Sequence, residues 1–361
     1  MDGQPQGKGR LMPPELEALR LLSARIGADP LLVQGAGGNT SVKHGEIMWI
    51  KASGKWLSEA AREDMFVPVH FKPLLAALRE GHPDAERAQK FIAGGHDANG
   101  LRPSIETSVH ALLPQKIVAH VHCVSTIALA VRADAEQVIE PRLRGLPYAF
   151  IPYNRPGLPL AKAIAERLKP DTSVLVLGNH GLAVASETVE GAAALLEHVC
   201  RRLKAEPRAA FEPKTKALTQ LAGQSAYRLP VNPRAHAVAM DYASYKIAEM
   251  GSLYPDHVVF LGAGSCVADI GESAKKIETR AERASVPPPV SILFPGKGVL
   301  MRESADRGTE AMAACLAEVT SRIEPGAPIR YLTVAENAEL LNWDAEKYRQ
   351  ELNRRKTGVQ S

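Results

Sequence analysis

Two apolar runs that each end in histidine constrain this chain of 361 residues more than any other feature. Residues 117–122, Ile-Val-Ala-His-Val-His, have the length and apolar content of a buried strand whose end reaches a sheet edge or cleft. Side chains alternate faces along a strand, so His120 and His122 project together, as two imidazoles meeting one metal ion would. A second apolar run, Val-Leu-Val-Leu-Gly-Asn-His-Gly from Val174 to Gly181, delivers His180. Zinc in catalytic sites commonly takes three protein ligands and keeps a fourth position open. Taken singly, each histidine reads equally well as a core or loop residue. The pair together with the strand-terminal third favours a metal centre.

Composition narrows the partners. Hydrophobic residues make up 45% and charged residues 23%, which suits a globular protein able to bury a full core. The net charge of +4 comes from 44 basic and 40 acidic residues scattered along the chain, and aromatics are 5%. Neither a basic stripe nor a stacking surface is present, so no nucleic-acid partner is expected. Cys123, Cys200, Cys266 and Cys315 lie far apart without a Cys-x-x-Cys pair and read as reduced thiols. The N-terminus lacks an apolar signal-peptide core, and no run reaches the roughly 18 apolar residues of a membrane span. A soluble, cytoplasmic protein with no membrane partner is the expectation.

Along the chain, residues 1–12 read as a flexible tail. Pro13 and Pro14 open a helix through about Gly27, with Leu16, Leu19, Leu21, Leu22 and Ile26 forming an apolar face. Residues 40–44 and 46–51 form a hairpin turning at His44-Gly45. The glycines ahead of it, Gly35-Ala-Gly-Gly, could bring backbone N–H groups to an anion, yet they match neither a dinucleotide fingerprint nor a P-loop. Helices are expected over 55–65, 71–80, 124–132, 158–168 and 188–204, with strands at 173–177 and 182–185. After Arg102 another helix begins, with Ser104 as its N-cap and Glu106 in the first turn, where the helix dipole favours a carboxylate. Residues 206–230 read as a linker. Beyond it, helices are expected near 233–251, 303–322 and 344–355, and strands at 257–262 and 290–294. Strands mixed with helices and at least one hairpin predict a mixed sheet with helices packed on it.

Gly35-Ala-Gly-Gly-Asn-Thr-Ser with Lys51-Ala-Ser-Gly, Pro103-Ser-Ile-Glu, and His120-Val-His followed by Asn179-His-Gly together resemble the class II aldolase/adducin family. Trp49 to Leu57, Pro255-Asp-His-Val-Val-Phe and Leu293-Phe-Pro-Gly-Lys-Gly are similar to the aldolase half of rhamnulose-phosphate aldolase/short-chain dehydrogenase proteins. The resemblance implies a three-layer α/β/α domain over 13–205, with a mixed, largely antiparallel sheet, and a C-terminal α/β extension over 231–361. It implies a divalent metal, usually Zn²⁺ and alternatively Mn²⁺ or Co²⁺, on His120, His122 and His180. Glu106 takes the place of the family's general acid/base. Asn39, Ser53, Gly54 and Ser104 take the places that hold a substrate phosphate, although Ile105 stands where a second serine is expected. A homo-oligomer, commonly a tetramer, is implied as well.

That reading makes the chain a metal-dependent aldolase, cleaving a small hydroxy-ketone or ketose phosphate through a metal-stabilised enediolate. Decarboxylation of a 3-oxo sugar acid passes through a similar enolate and shares the ligand set. In the family's epimerases an aspartate tends to replace the glutamate. A non-catalytic, adducin-like assembly role is the remaining alternative; such members usually lose the ligands that this chain carries. Tyr148 and Tyr153 are candidates, by position, for a proton-relay tyrosine. The loops 81–102 and 145–158 are expected to set specificity.

Overall fold

The structure, a computed structural model, describes residues 12–93 and 100–342. The expected tail up to residue 11 and the helix near 344–355 lie outside the described residues, as does 94–99 within the 81–102 loop. Strands β1 (Asn39–His44), β2 (Ile47–Lys51), β3 (Phe66–His70), β4 (Ile117–Val121), β5 (Tyr148–Ile151), β6 (Val174–Leu177) and β7 (Gly181–Ser186) form one sheet, in the order β3-β2-β1-β4-β7-β6-β5. Every neighbouring pair is antiparallel except β5 and β6, which run parallel. The β1–β2 hairpin turns where the sequence places it, and Gly45 supplies the positive φ of 60° that this tight turn needs.

Alternation along the strands builds three layers. Ile117, Ala119 and Val121 of β4 join Val174, Val176, Leu182 and Val184 under the helices Leu16–Ala28 and Val189–Arg202. On the opposite face, Val118, Leu175, Ala183 and Ala185 pack with Val109 of Thr107–Leu112 and with Leu160 and Ile164 of Leu158–Arg167. Met48, Ile50, Val67 and Val69 continue that layer beneath Leu74 and Leu78 of the helix Phe71–Arg79. Each such side chain contributes about 1.5–3 kcal/mol by leaving water. The layered, largely antiparallel architecture is the one the sequence implies.

The C-terminal part carries a second sheet. Its strands are β8 (Tyr227–Arg228), β9 (Cys266–Val267), β10 (Ser291–Phe294) and β11 (Gly298–Arg302), in the order β8-β11-β10-β9. Its core is continuous with the first part: Val124, Ile127, Ala128 and Val131 pack with Val259, Phe260, Met312, Leu316 and Val319. Backbone bonds from Ala133 N–H to the Pro328 carbonyl and from Arg330 N–H to the Val131 carbonyl stitch the seam.

Several expectations are corrected. The helix read over 55–65 is a single 3₁₀ turn, Leu57–Glu59, and β3 follows it unannounced. Pro68 argues against a strand there, but β3 is an edge strand, where a missing N–H costs little. Residues 257–262 are not a strand; Pro255–Leu261 is a helix, with Pro255 in its first turn and an extended Tyr254 before it. The β-branched pair Val258-Val259 imitates a strand. The stretch read as a linker carries the helix Thr215–Ala222 and β8. The long helix near 233–251 is three short pieces, interrupted at Asp241, whose carboxylate caps Ser244 N–H. Ser104 is not an N-cap: the helix starts at Thr107, and Glu106 occupies the capping position without using its side chain there.

Candidate metal centre

His120 lies on β4 and His122 one residue past its end, so both rings stand on the sheet face of Val118. His180 sits in the turn between β6 and β7. Its neighbour Asn179 has a φ of 53°, and the Asn179 amide donates to the carbonyls of Leu253 (2.8 Å) and Arg330 (2.7 Å), which hold this turn in place. Asn39 on β1 pairs directly with His120 across the sheet, so its side chain emerges beside the imidazoles. Glu106 enters from the adjoining loop.

These side chains converge. His120 Nε2 lies 3.1 Å from His122 Nε2 and 3.2 Å from Glu106 Oε2; His180 Nε2 lies 3.2 Å from Glu106 Oε1. The ring centroids are 5.0–5.2 Å apart, and all four residues are buried. The Asn39 amide donates to Glu106 Oε2 at 2.7 Å.

The donor chemistry fits a cation. His120 Nδ1 faces the Leu182 carbonyl at 3.0 Å, and a carbonyl only accepts, so Nδ1 carries the proton. Burial pushes the His120 pKa well below the usual histidine range, so the ring is neutral and its Nε2 presents a lone pair. That lone pair meets a carboxylate oxygen and a second imidazole nitrogen. Acceptors facing acceptors at 3.1–3.2 Å repel unless a positive ion lies among them. Ligand atoms bound at about 2.0–2.1 Å around a tetrahedral ion stand about 3.3 Å apart, close to the spacing here. Burial alone raises the Glu106 carboxyl pKa. Positive charge at the positions of the His120, His180 and His122 rings, which an ion among the neutral imidazoles would supply, together with the hydrogen bond from the Asn39 amide outweighs it and holds the carboxyl below the usual carboxylate range, so Glu106 is an anion.

A narrow cleft with a cavity volume of about 30 Å³ lies over the centre, and Glu106, His122, His180, Asn39, Ser53, Gly54 and Ser104 all line it. The sequence-selected residues therefore come together, with two shifts of role. Asn39 is engaged with Glu106, and Ser104 Oγ accepts from the Glu106 N–H at 3.2 Å. Ile105 also lines the cleft and gives that wall an apolar patch where a hydroxyl is expected. Lys51 donates to the carbonyls of Ala36 and Gly38 at 2.8 Å each, buttressing the glycine loop. A Cβ on Gly37 in that loop would come within 2.8 Å of His122 Nδ1. Tyr148 and Tyr153 are not among the cleft-lining residues. Tyr153 packs with Val258, Leu332 and Leu340 beneath the Arg330 guanidinium.

One residue at the site escapes a reading of the sequence. Asp256, in the first turn of Pro255–Leu261, places Oδ2 3.0 Å from His122 Nδ1 and lines the cleft. Its motif, Pro255-Asp-His-Val-Val-Phe, stands out in the sequence, but nothing local in it points to His122.

The sequence profile of the Class II Aldolase and Adducin N-terminal domain matches residues 22–206, just over half of the chain. Over 192 residues the chain is 32% identical to a Bacillus subtilis (strain 168) protein named Uncharacterized oxidoreductase YuxG, covering 50% of this chain and 27% of that one. Over 134 residues it is 32% identical to 3-oxo-tetronate 4-phosphate decarboxylase of Escherichia coli (strain K12), covering 33% of this chain and 62% of the relative. The chain thus spans less than two thirds of either relative's length. The N-terminal class II aldolase domain of a conserved protein from Thermoplasma acidophilum aligns at 25% identity and a TM-score of 0.47, over 56% of this chain and 98% of that domain. With the profile spanning the sheet, the three histidines and Glu106, this chain belongs to the class II aldolase and adducin family.

Proposed function

We propose that the chain is a divalent-metal-dependent carbon–carbon lyase of the aldolase type, acting on a small hydroxy-ketone or ketose phosphate. The observation that carries this reading is the clustering of the three imidazoles and the buried Glu106 carboxylate within 4.8 Å of one another, at the wall of a cleft. His120, His122 and His180 hold the ion, Zn²⁺ by preference and Mn²⁺ or Co²⁺ as alternatives. When bound, the ion supplies Lewis-acid stabilisation of the negative charge that develops on substrate oxygen. Glu106, an anion held in place by Asn39, takes the proton from the substrate hydroxyl as the carbon–carbon bond breaks and returns it to the carbanion carbon. Ser53, Gly54 and Ser104 form the wall that receives the far end of the substrate, and a phosphate there would meet Ile105 beside them. A homo-oligomer, tetrameric by family resemblance, belongs to the same reading.

A second reading, decarboxylation of a 3-oxo sugar acid, is favoured by the relative named 3-oxo-tetronate 4-phosphate decarboxylase. Both reactions leave an electron pair on the carbon next to a carbonyl, so the same residues serve either. An epimerase or a bare assembly scaffold fits less well, because the chain carries the full histidine set together with a glutamate. Zinc-loaded protein screened against ketose phosphates and 3-oxo acids separates the two favoured readings. Aldehyde release without CO₂ supports the aldolase, and CO₂ release supports the decarboxylase. Neither product from either class would overturn the lyase assignment.

A further inference from the structure

Building on the metal-binding reading above, we propose that Asp256 is the positioning residue of His122, so that the C-terminal part of the chain, outside the family match, completes the metal centre.

A histidine that ligates a metal through one ring nitrogen presents its other N–H to an acceptor, which fixes both tautomer and ring orientation. His120 follows this rule with a neutral partner, the Leu182 carbonyl. At His122 a carboxylate stands in that place as an ion-pair contact: Asp256 Oδ2 lies 3.0 Å from Nδ1, while Nε2 lies 3.1 Å from His120 Nε2 at the centre. Asp256 is thus on the far side of the ring from the ion and acts through His122. Gly37 allows this approach, because a side chain there would occupy the space at Nδ1.

The carboxylate is delivered by packing. Pro255–Leu261 sits against Arg307–Thr320 in a core that also contains Val124 and Ile127, immediately after His122 and Cys123. A second tie repeats the pattern at the other ligand-bearing segment, where Asn179, next to His180, donates to the Leu253 and Arg330 carbonyls. Both segments that supply histidines are therefore held from the C-terminal part.

The test uses the full chain. Metal-free wild type, Asp256→Ala and Asp256→Asn are titrated with Zn²⁺ against a chromophoric chelator, and their Co²⁺ absorption spectra are compared. Asp256→Ala is expected to weaken zinc about 10–100-fold and to shift the Co²⁺ bands. Asp256→Asn keeps an acceptor oxygen without the charge and should fall between. It is isosteric, so it carries the test if the alanine variant does not fold. Unchanged zinc affinity and an unchanged Co²⁺ spectrum in the folded variants, whatever happens to their melting temperature, would overturn the inference. That result, alongside metal uptake by wild type, would leave the metal reading intact. Wild type that takes up no metal would overturn both.

Discussion

Replacing Glu106 by glutamine isolates the proton-transfer role from the metal. The change is nearly isosteric and removes one buried negative charge, while the Asn39 amide, now 2.7 Å from Glu106 Oε2, can still donate to the side-chain oxygen of the substituted amide. The three imidazole Nε2 atoms are untouched, so metal stoichiometry should stay at about one per chain. A positioned general base contributes about 10²–10⁴ in rate, or roughly 3–5 kcal/mol in the barrier. The assay is NMR in D₂O, following deuterium incorporation next to the carbonyl of a ketone product by zinc-loaded protein, with no need for the full aldol partner. Glu106→Gln should lose exchange by at least two orders of magnitude while melting within a few degrees of wild type. Exchange within tenfold of wild type, with metal bound, would refute the role of Glu106.

Other consequences follow from single sites. His122→Ala should abolish both stoichiometric metal and turnover, measured by metal analysis and product release; a fully active variant would contradict its place in the ligand set. A Cβ on Gly181 would lie 2.5 Å from the Val121 carbonyl of the neighbouring strand, so Gly181→Ala must part β4 and β7. That overpacking should cost about 1–3 kcal/mol. At about 2.1 cal/mol/K of unfolding entropy per residue, it should lower the melting temperature by about 1–4 °C by calorimetry. Burial lowers the Lys43 pKa to about 7, its ammonium facing the Leu113 and Gln115 carbonyls. The unfolded chain keeps that proton up to about pH 10.4, so this group makes stability rise with pH from about 7 upward. Between about pH 7 and 9 the gain is about 2 kcal/mol, and urea unfolding of Lys43→Met should lack it; identical slopes for both proteins would sink the assignment.

The parts of this molecule legible in the sequence are those whose signal is local. Alternation along 117–122 places His120 and His122 on one face, and the His44-Gly45 turn registers the hairpin, because strand pitch and a positive φ act over a few residues. The proposed acid/base role of Glu106 comes from resemblance; its position alone suggests only a carboxylate favoured by the dipole of the helix that begins at Thr107. Strand β3 is hidden by Pro68, whose tolerance depends on an edge position that only the assembled sheet defines. The helix Pro255–Leu261 reads as a strand because β-branched residues favour strands until tertiary packing overrides them. Asp256 stays invisible for a related reason: its partner is more than a hundred residues away, and the shared core of Val124, Ile127 and Phe260 brings the two segments together. Lys51, a charge that could have served an anion, instead binds the carbonyls of the glycine loop, a use no spacing rule announces.

The proposed chemistry depends on His120, His122 and His180 holding one divalent ion beside Glu106. Metal analysis of the purified full chain alongside His180→Ala tests it most directly. About one Zn²⁺, Mn²⁺ or Co²⁺ per chain is expected in wild type, lost in the variant. No metal in wild type, even after adding each ion back, or equal metal in both proteins, would contradict it.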